Sequence, residues 1–327
     1  MRVVYFGTPD FAVPTLEALA ATDDLKPLLV ISQPSRPVGR GRQIKPPPVA
    51  QRASALGLDL EQVPSVRDLD FVHRLGALQP DVAVVVAFGQ IFHRGLLELP
   101  SFGCVNLHAS LLPAYRGAAP VHAAIAAGDT VTGVTTMQME RGLDSGPVLL
   151  RAETNIAPDE TTATLGPRLA GLGAELMVTT LRGLWDGTVT PTPQNDGEAT
   201  YAPKIDKEDG LVDWRMPAAS LYDLWRAYQP WPGLTATLND EPVKLVEVRP
   251  LTGLEAMAPP GTILDRERFE PTALGTALPV ACGGDTILAA RRLQRPGKSK
   301  VTGADFANGE RLAPGIRFDV RIGTRNT

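Results

Sequence analysis

A chain of 327 residues exceeds the usual size of one hydrophobic core, so two domains are the starting expectation. Hydrophobic residues make up 43% and charged residues 21%, ordinary values for a soluble globular protein, and a formal charge of −4 excludes a uniformly basic nucleic-acid coat. Two widely spaced cysteines, Cys104 and Cys282, fit a reducing compartment rather than a disulfide scaffold. Met1-Arg2 runs straight into Val3-Val4-Tyr5-Phe6 with no signal-peptide pattern and no long apolar span, so the expected location is the cytoplasm, away from membranes.

Val3 to Phe6 is a short apolar run ending at Gly7, and Phe11 to Ala21 follows with helical spacing. Leu28 to Ile31 reads as a second strand. Asp81 to Ala87 holds an almost unbroken Val/Ala run, the pattern of a strand covered on both faces. Gly103 to Leu107 is another strand and Ala118 to Ala127 a helix. Helix-length segments at Pro48–Leu56, Val66–Leu78 and Thr161–Trp185 alternate with these strands. The alternation predicts an α/β fold with an open, mostly parallel sheet and helices on both faces. In the last of these helices the apolar positions are Leu165, Leu169, Leu172, Leu176 and Leu184.

The character changes after Trp185. Asp186 to Pro203 is rich in Gly, Pro, Thr and acidic or amide residues without a period, which reads as a linker. A helix is expected over Ala218–Ala227. Short strands are expected at Thr235–Leu238, Val243–Val248, Gly261–Leu264, Ala277–Ala281 and Ile287–Leu293. Strands at that spacing predict a small β-barrel or sandwich. The expected organisation is a first domain over 1–186, a linker over 187–205 and a second domain over 206–327.

The strongest local signal for chemistry is Asn106-Leu107-His108-Ala109-Ser110-Leu111-Leu112-Pro113, at the end of a strand and ahead of Arg116-Gly117. Ligands of open parallel sheets gather at the carboxyl ends of the strands. In extended backbone, Asn106 and His108 fall on the same face. An amide donor beside an imidazole suits acyl transfer, since one stabilises a developing oxyanion and the other handles a proton. Asp144, in Arg141-Gly142-Leu143-Asp144-Ser145-Gly146-Pro147, reads in two ways. It caps a turn, or it orients His108 and relays a proton.

Gly7-Thr8-Pro9-Asp10-Phe11 has one glycine where a dinucleotide fingerprint carries three, so a nicotinamide or flavin cofactor is not expected. The four histidines show no metal-ligand spacing, and Ser110 lacks a nucleophile elbow. Cys104 reads as a small buried apolar group. Gln33 to Arg52 carries Arg36, Arg40, Arg42, Lys45 and Arg52 with no acidic residue. From Arg291 to Arg325 nine Lys/Arg, Arg295, Lys298 and Lys300 among them, stand against Asp305, Glu310 and Asp319. Two basic stretches on an acidic chain fit one extended polyanion, with a solvated basic loop as the bland alternative for the first.

These motifs together resemble those of the folate-dependent formyltransferases. The likeness is carried by Asn106-Leu107-His108, Ser110 to Pro113, Arg116-Gly117-Ala118-Ala119-Pro120 and Gly142-Leu143-Asp144-Ser145-Gly146. Gly7 to Ala12, Gln33 to Gly41, Pro230-Trp231-Pro232-Gly233 and the basic tail narrow it to the branch that acts on a charged tRNA. The resemblance implies a Rossmann-like catalytic domain followed by an OB-like, tRNA-binding barrel. It implies 10-formyltetrahydrofolate as donor, no metal, and the α-amine of methionine on initiator tRNA as acceptor. It assigns catalysis to Asn106, His108 and Asp144, and the folate site to Ser110, Leu111, Leu112 and Pro113. Arg40 and Arg42 would insert at the acceptor stem, with Arg36, Lys45, Arg295, Lys298 and Lys300 as further tRNA contacts of a monomer. A sister enzyme acting on another amine, a formyl-folate hydrolase and a non-catalytic tRNA-binding module are the competing readings.

Overall fold

The computed structural model describes residues 1–38 and 43–319. Seven strands build the first sheet: β1 (Val3–Gly7), β2 (Pro27–Ser32), β3 (Leu60–Gln62), β4 (Val82–Val86), β5 (Cys104–His108), β6 (Val131–Gln138) and β7 (Val148–Asn155). Their spatial order is β3-β2-β1-β4-β5-β6-β7. The first five run parallel; β6 is antiparallel to β5 and β7 to β6. The strand order reverses between β1 and β4, which opens a crevice at the carboxyl ends of the central strands. There Thr8 Oγ1 (3.1 Å) and Gln33 Nε2 (2.7 Å) both donate to the Phe88 carbonyl, tying together the loops that follow β1, β2 and β4.

The Val/Ala run of β4 is buried at every position, as a central strand covered on both faces must be. Phe6 at the end of β1 packs edge-on against Phe71, Phe88 and Phe92. The mostly parallel α/β sheet expected from the sequence is therefore present. Two of its strands, β6 and β7, and the short edge strand β3 are additions to that expectation. Thr132, Thr135 and Thr136 are all buried in β6, Thr135 on the face opposite the other two, so the strand shows no alternation of apolar and polar residues to mark it.

The long helix forms over Thr162–Trp185, and its buried stripe is turned relative to the leucine pattern. Leu165, Leu169, Ala170, Gly173, Ala174, Met177 and Leu181 face inward, whereas Leu172, Leu176 and Leu184 are only partly covered. Small residues at 170, 173 and 174 explain the rotation, because they let the helix lie close to the sheet. A Cβ on Gly173 would stand 2.5 Å from a Leu107 methyl carbon. The helix thus presses on β5 at the residue between Asn106 and His108.

The chain divides into two compact units. One comprises Met1–Val121, Thr130–Ala157 and Thr164–Pro203, and the other His122–Asp129, Pro158–Ala163 and Lys204–Thr327. Residues 191–203 therefore belong to the unit that holds the parallel sheet. Tyr201–Ala202 pairs in parallel with Arg116–Gly117, and Thr192 bridges Val148.

The second unit contains β8 (Leu234–Leu238), β9 (Glu241–Leu251), β10 (Leu278–Ala281), β11 (Ile287–Gln294) and β12 (Val301–Thr302). They form one curled antiparallel sheet in the order β8-β9-β11-β10, with β12 on β11. Register shifts in β9 between Leu245 and Val248 help it bend. The expected strand at Gly261–Leu264 is reduced to two isolated bridges, Thr262 to Arg317 and Ile263 to Val280. The helix Ala218–Ala227 forms as expected and contributes Leu221 and Ala227 to the core.

Candidate active site

Asn106 and His108 stand on β5, two residues apart and hence on one face of the strand. His108 is buried, with 6% exposure, and both of its ring nitrogens are accounted for. Nε2 lies 2.9 Å from the Tyr115 carbonyl oxygen. A carbonyl only accepts, so the proton is on Nε2 and the tautomer is fixed. Nδ1 faces Asp144 Oδ2 at 3.6 Å, longer than a hydrogen bond and an ion pair only when the ring carries a second proton. Asn106 is partly buried and its side chain makes no hydrogen bond with a described residue. It is therefore left with donor capacity for a ligand.

Asp144 occupies a left-handed backbone conformation, φ +49°, and its Oδ2 accepts a hydrogen bond from the Gly117 N–H at 2.8 Å. The partner lies in another segment, so the carboxylate does not cap its own turn. One oxygen faces the histidine while a backbone donor holds it. Gly117 is at φ +122°, and a Cβ there would stand 2.5 Å from the Ala202 carbonyl oxygen, so the close approach of residues 201–202 requires glycine.

The loop after β5 is braced from β6. Thr135, which opposes His108 in register, donates to the Ser110 carbonyl (2.7 Å) and accepts from the Leu112 N–H (3.1 Å). The Ser110 hydroxyl donates to the Ala114 carbonyl at 2.6 Å, and Leu112 is buried against Met137 and Val148. Ser110 and Leu112 therefore shape this loop from inside, whereas Leu111 and Pro113 are partly exposed beside it. Burial pushes the Cys104 thiol up to about 12, which leaves it protonated and without nucleophilic character near neutral pH.

Sequence reasoning left several contributors to this site without a role: the Tyr115 carbonyl, the Gly117 N–H, Thr135, Arg116 and Gln194. Arg116 and Gly117 stood inside a quoted motif, but the bonds they make are to residues far along the chain, which spacing does not reveal. Arg116 is 3% exposed; it donates to Gln194 Oε1 (2.8 Å) and to Asp196 Oδ1 (2.8 Å). Gln194 Nε2 in turn donates to the carbonyls of Asp144 (2.8 Å) and Gly146 (2.7 Å).

The basic candidates divide. Arg36 and Lys45 are exposed on a short hairpin, Arg36–Val38 with Gln43–Lys45, and Arg36 donates to Gln33 Oε1 at 2.6 Å. Arg40 and Arg42 lie outside the described residues. Lys298 and Lys300 are exposed and make no ion pair with a described residue. Arg295 differs: at 11% side-chain exposure it pairs with Glu310 (2.7 Å) and Glu241 (3.5 Å) and sits over the Phe306 ring. Among the described residues no group of three or more His, Cys, Asp or Glu could hold a metal ion, and no helix is long and apolar enough to cross a membrane.

An amide unpartnered among the described residues and a buried histidine at a strand end, with a carboxylate from a neighbouring loop facing the ring, make an arrangement chemically suited to acyl transfer. The family model "Formyl transferase" matches residues 1–181, and "Formyl transferase, C-terminal domain" matches residues 204–311. The chain belongs to the formyl transferase family. Methionyl-tRNA formyltransferase of Acidobacterium capsulatum is 46% identical over 320 residues, covering 97% of this chain and 99% of the relative. That of Trichlorobacter lovleyi is 44% identical over 315 residues, 96% of each chain. Among solved structures, the N-formyltransferase of Helicobacter canadensis in complex with folinic acid and dTDP-3-aminofucose aligns at TM-score 0.64 and 16% identity, over 89% of this chain and 98% of that one. HypX of Aquifex aeolicus in complex with tetrahydrofolic acid aligns at TM-score 0.57 and 17% identity, over 94% of this chain and 47% of that one. The two structures share the formyltransferase fold, and the family is one of enzymes.

Proposed function

We propose that this chain transfers the formyl group of 10-formyltetrahydrofolate to the α-amine of methionine esterified to initiator tRNA, in the cytoplasm and as a monomer. The observation that carries the substrate is the likeness, at 44–46% identity and across both domains, to relatives named methionyl-tRNA formyltransferase. A folate-fed catalytic domain alone would suit any amine; the second domain and the exposed cations at Arg36, Lys45, Lys298 and Lys300 fit a long polyanionic substrate.

In this reading the neutral amine attacks the formyl carbon, and the carbonyl oxygen becomes an oxyanion. The Asn106 amide donates to it. Nε2–H of His108 is given to the Tyr115 carbonyl, so the proton that His108 offers the oxyanion is on Nδ1, the nitrogen facing Asp144. The tetrahedral species collapses by breaking the bond to the folate nitrogen, which takes up a proton as the attacking amine loses one. Asp144 stabilises the protonated ring and accepts the amine proton for relay to the folate nitrogen. A free α-amino group has a pKa of about 7.7–8.0 and esterification lowers it, so much of the amine is already neutral and no strong base is required.

The decisive experiment supplies 10-formyltetrahydrofolate with charged initiator tRNA, charged elongator tRNA or glycinamide ribonucleotide. Formylation confined to the first is expected. Preference for a small amine would move the chain to a sister activity, and folate-dependent formate release without transfer would make it a hydrolase. Light scattering on the purified chain checks the monomer.

A further inference from the structure

The geometry points to Gln194 as a positioning residue for formyl transfer. Its side chain fastens residues 191–203 to the Asp144 loop and so sets the carboxylate against His108. This inference rests on the roles given above to His108 and Asp144. The orientation of the Gln194 amide is fixed from both ends. Arg116 Nε (3.1 Å) and Nη2 (2.8 Å) can only donate, so they meet the amide oxygen. The carbonyls of Asp144 and Gly146 can only accept, so they meet the amide nitrogen.

Asp144 needs such support. A residue with a Cβ at φ +49° is held in an uncommon conformation, and its carboxylate lies at 3.6 Å from Nδ1, where a small displacement changes the contact. Gln194 grips the carbonyl of this residue and of the residue two further on, while Gly117, next to Arg116, grips the carboxylate. The same stretch of chain also serves the other ring nitrogen of His108. Thr200 accepts from the Tyr115 N–H through Oγ1 (2.8 Å) and from the Arg116 N–H through its carbonyl (2.8 Å), which holds the Tyr115 carbonyl under Nε2. Residues 194–200 thus bear on the histidine from its Nδ1 side and from its Nε2 side, and Gln194 acts on the first through Asp144.

Gln194→Ala should lower single-turnover formyl transfer about tenfold to a hundredfold, with KM for tRNA and for the formyl donor changed less than about threefold. Gln194→Glu keeps an acceptor for Arg116 and removes the N–H donors, so its turnover should fall as far while the chain still folds and melts in one cooperative transition. In an Asp144→Ala background the Gln194 change should add almost nothing, because both act through one carboxylate. Losses that multiply in the double variant, or wild-type turnover in Gln194→Glu, would overturn the proposal. A second readout needs no substrate. In protein labelled with 15N-histidine, the His108 ring signals should move in both Gln194 variants while those of His73 and His93 stay. Unmoved His108 signals overturn the proposal. If the wild-type chain formylates no amine, the functional reading falls, and the His108 signals still decide the role of Gln194. Should the alanine variant misfold, the glutamate variant carries both measurements.

Discussion

The histidine site and the basic surfaces are built on opposite plans. Around His108, polar groups satisfy one another: Nε2 with Tyr115, Nδ1 facing Asp144, Asp144 with Gly117 and Gln194, Gln194 with Arg116. On the surface, Lys45, Lys298 and Lys300 are exposed and make no ion pair with a described residue. A transition state requires donors fixed to within about half an ångström. A polyanion requires charge that is still hydrated and mobile enough to follow phosphates. Arg295 lies in the basic tail by sequence and follows the first plan, with two carboxylates and an aromatic ring around it.

The largest expected effect tests the first plan at its centre. Asn106→Ala, His108→Ala and Asp144→Ala should each cut single-turnover transfer on the order of a hundredfold to a thousandfold while tRNA affinity changes little. Near-normal rates in all three would remove the catalytic assignment. Next comes Gly117→Ala. Its new Cβ would stand 2.5 Å from the Ala202 carbonyl oxygen at a φ unsuited to alanine, so the cost should be about 2–3 kcal/mol in urea unfolding together with reduced turnover. Unchanged stability would mean that residues 201–202 move aside freely.

Two further variants sharpen the contrast at the surface. Lys298→Ala with Lys300→Ala should leave stability within about 0.5 kcal/mol and lower the salt slope of tRNA binding by roughly 0.7–0.9 for each phosphate no longer neutralised. Arg295→Ala should instead cost about 1–2 kcal/mol of stability through weakened packing and pairing. The reverse pattern would return Arg295 to the tRNA surface. The smallest effect is in pH. The Arg295 guanidinium beside Glu310 holds its carboxyl below the usual carboxylate range. That contribution, below about 1 kcal/mol because the Glu310 carboxylate is partly open to solvent, is complete above the unfolded value of about 4.3. It fades as pH falls through the lowered folded value. The stability gap between wild type and Glu310→Gln should therefore narrow on acidification below about pH 4, as measured by thermal unfolding at low salt.

Legibility in the sequence followed the same division. The Val/Ala run of β4 and the two-residue spacing of Asn106 and His108 declare themselves, because strand period and burial act on neighbouring residues. β6 was missed because buried threonines interrupt its apolar run; Thr136 bonds to Thr180 and Thr135 to Ser110. The leucine row of the long helix marks only part of its buried stripe, because Ala170, Gly173 and Ala174 make the closer approach by being small. Residues 186–203 showed no period because their order comes from side-chain and backbone bonds to distant loops, such as Gln194 to Asp144 and Thr200 to Tyr115. Two uses of Asp144 stood level in the sequence; the bond from the Gly117 N–H, a distant segment, removes the simple turn cap and leaves the carboxylate facing His108.

The Gly117–Ala202 pairing bears on how the enzyme can be cut and when it matures. A fragment that stops at Trp185 retains all seven strands of the main sheet but lacks Gln194, Thr200 and the strand Tyr201–Ala202. A piece meant to keep these contacts must run at least to Ala202, and a nascent chain can form them only after residues 194–202 have left the ribosome.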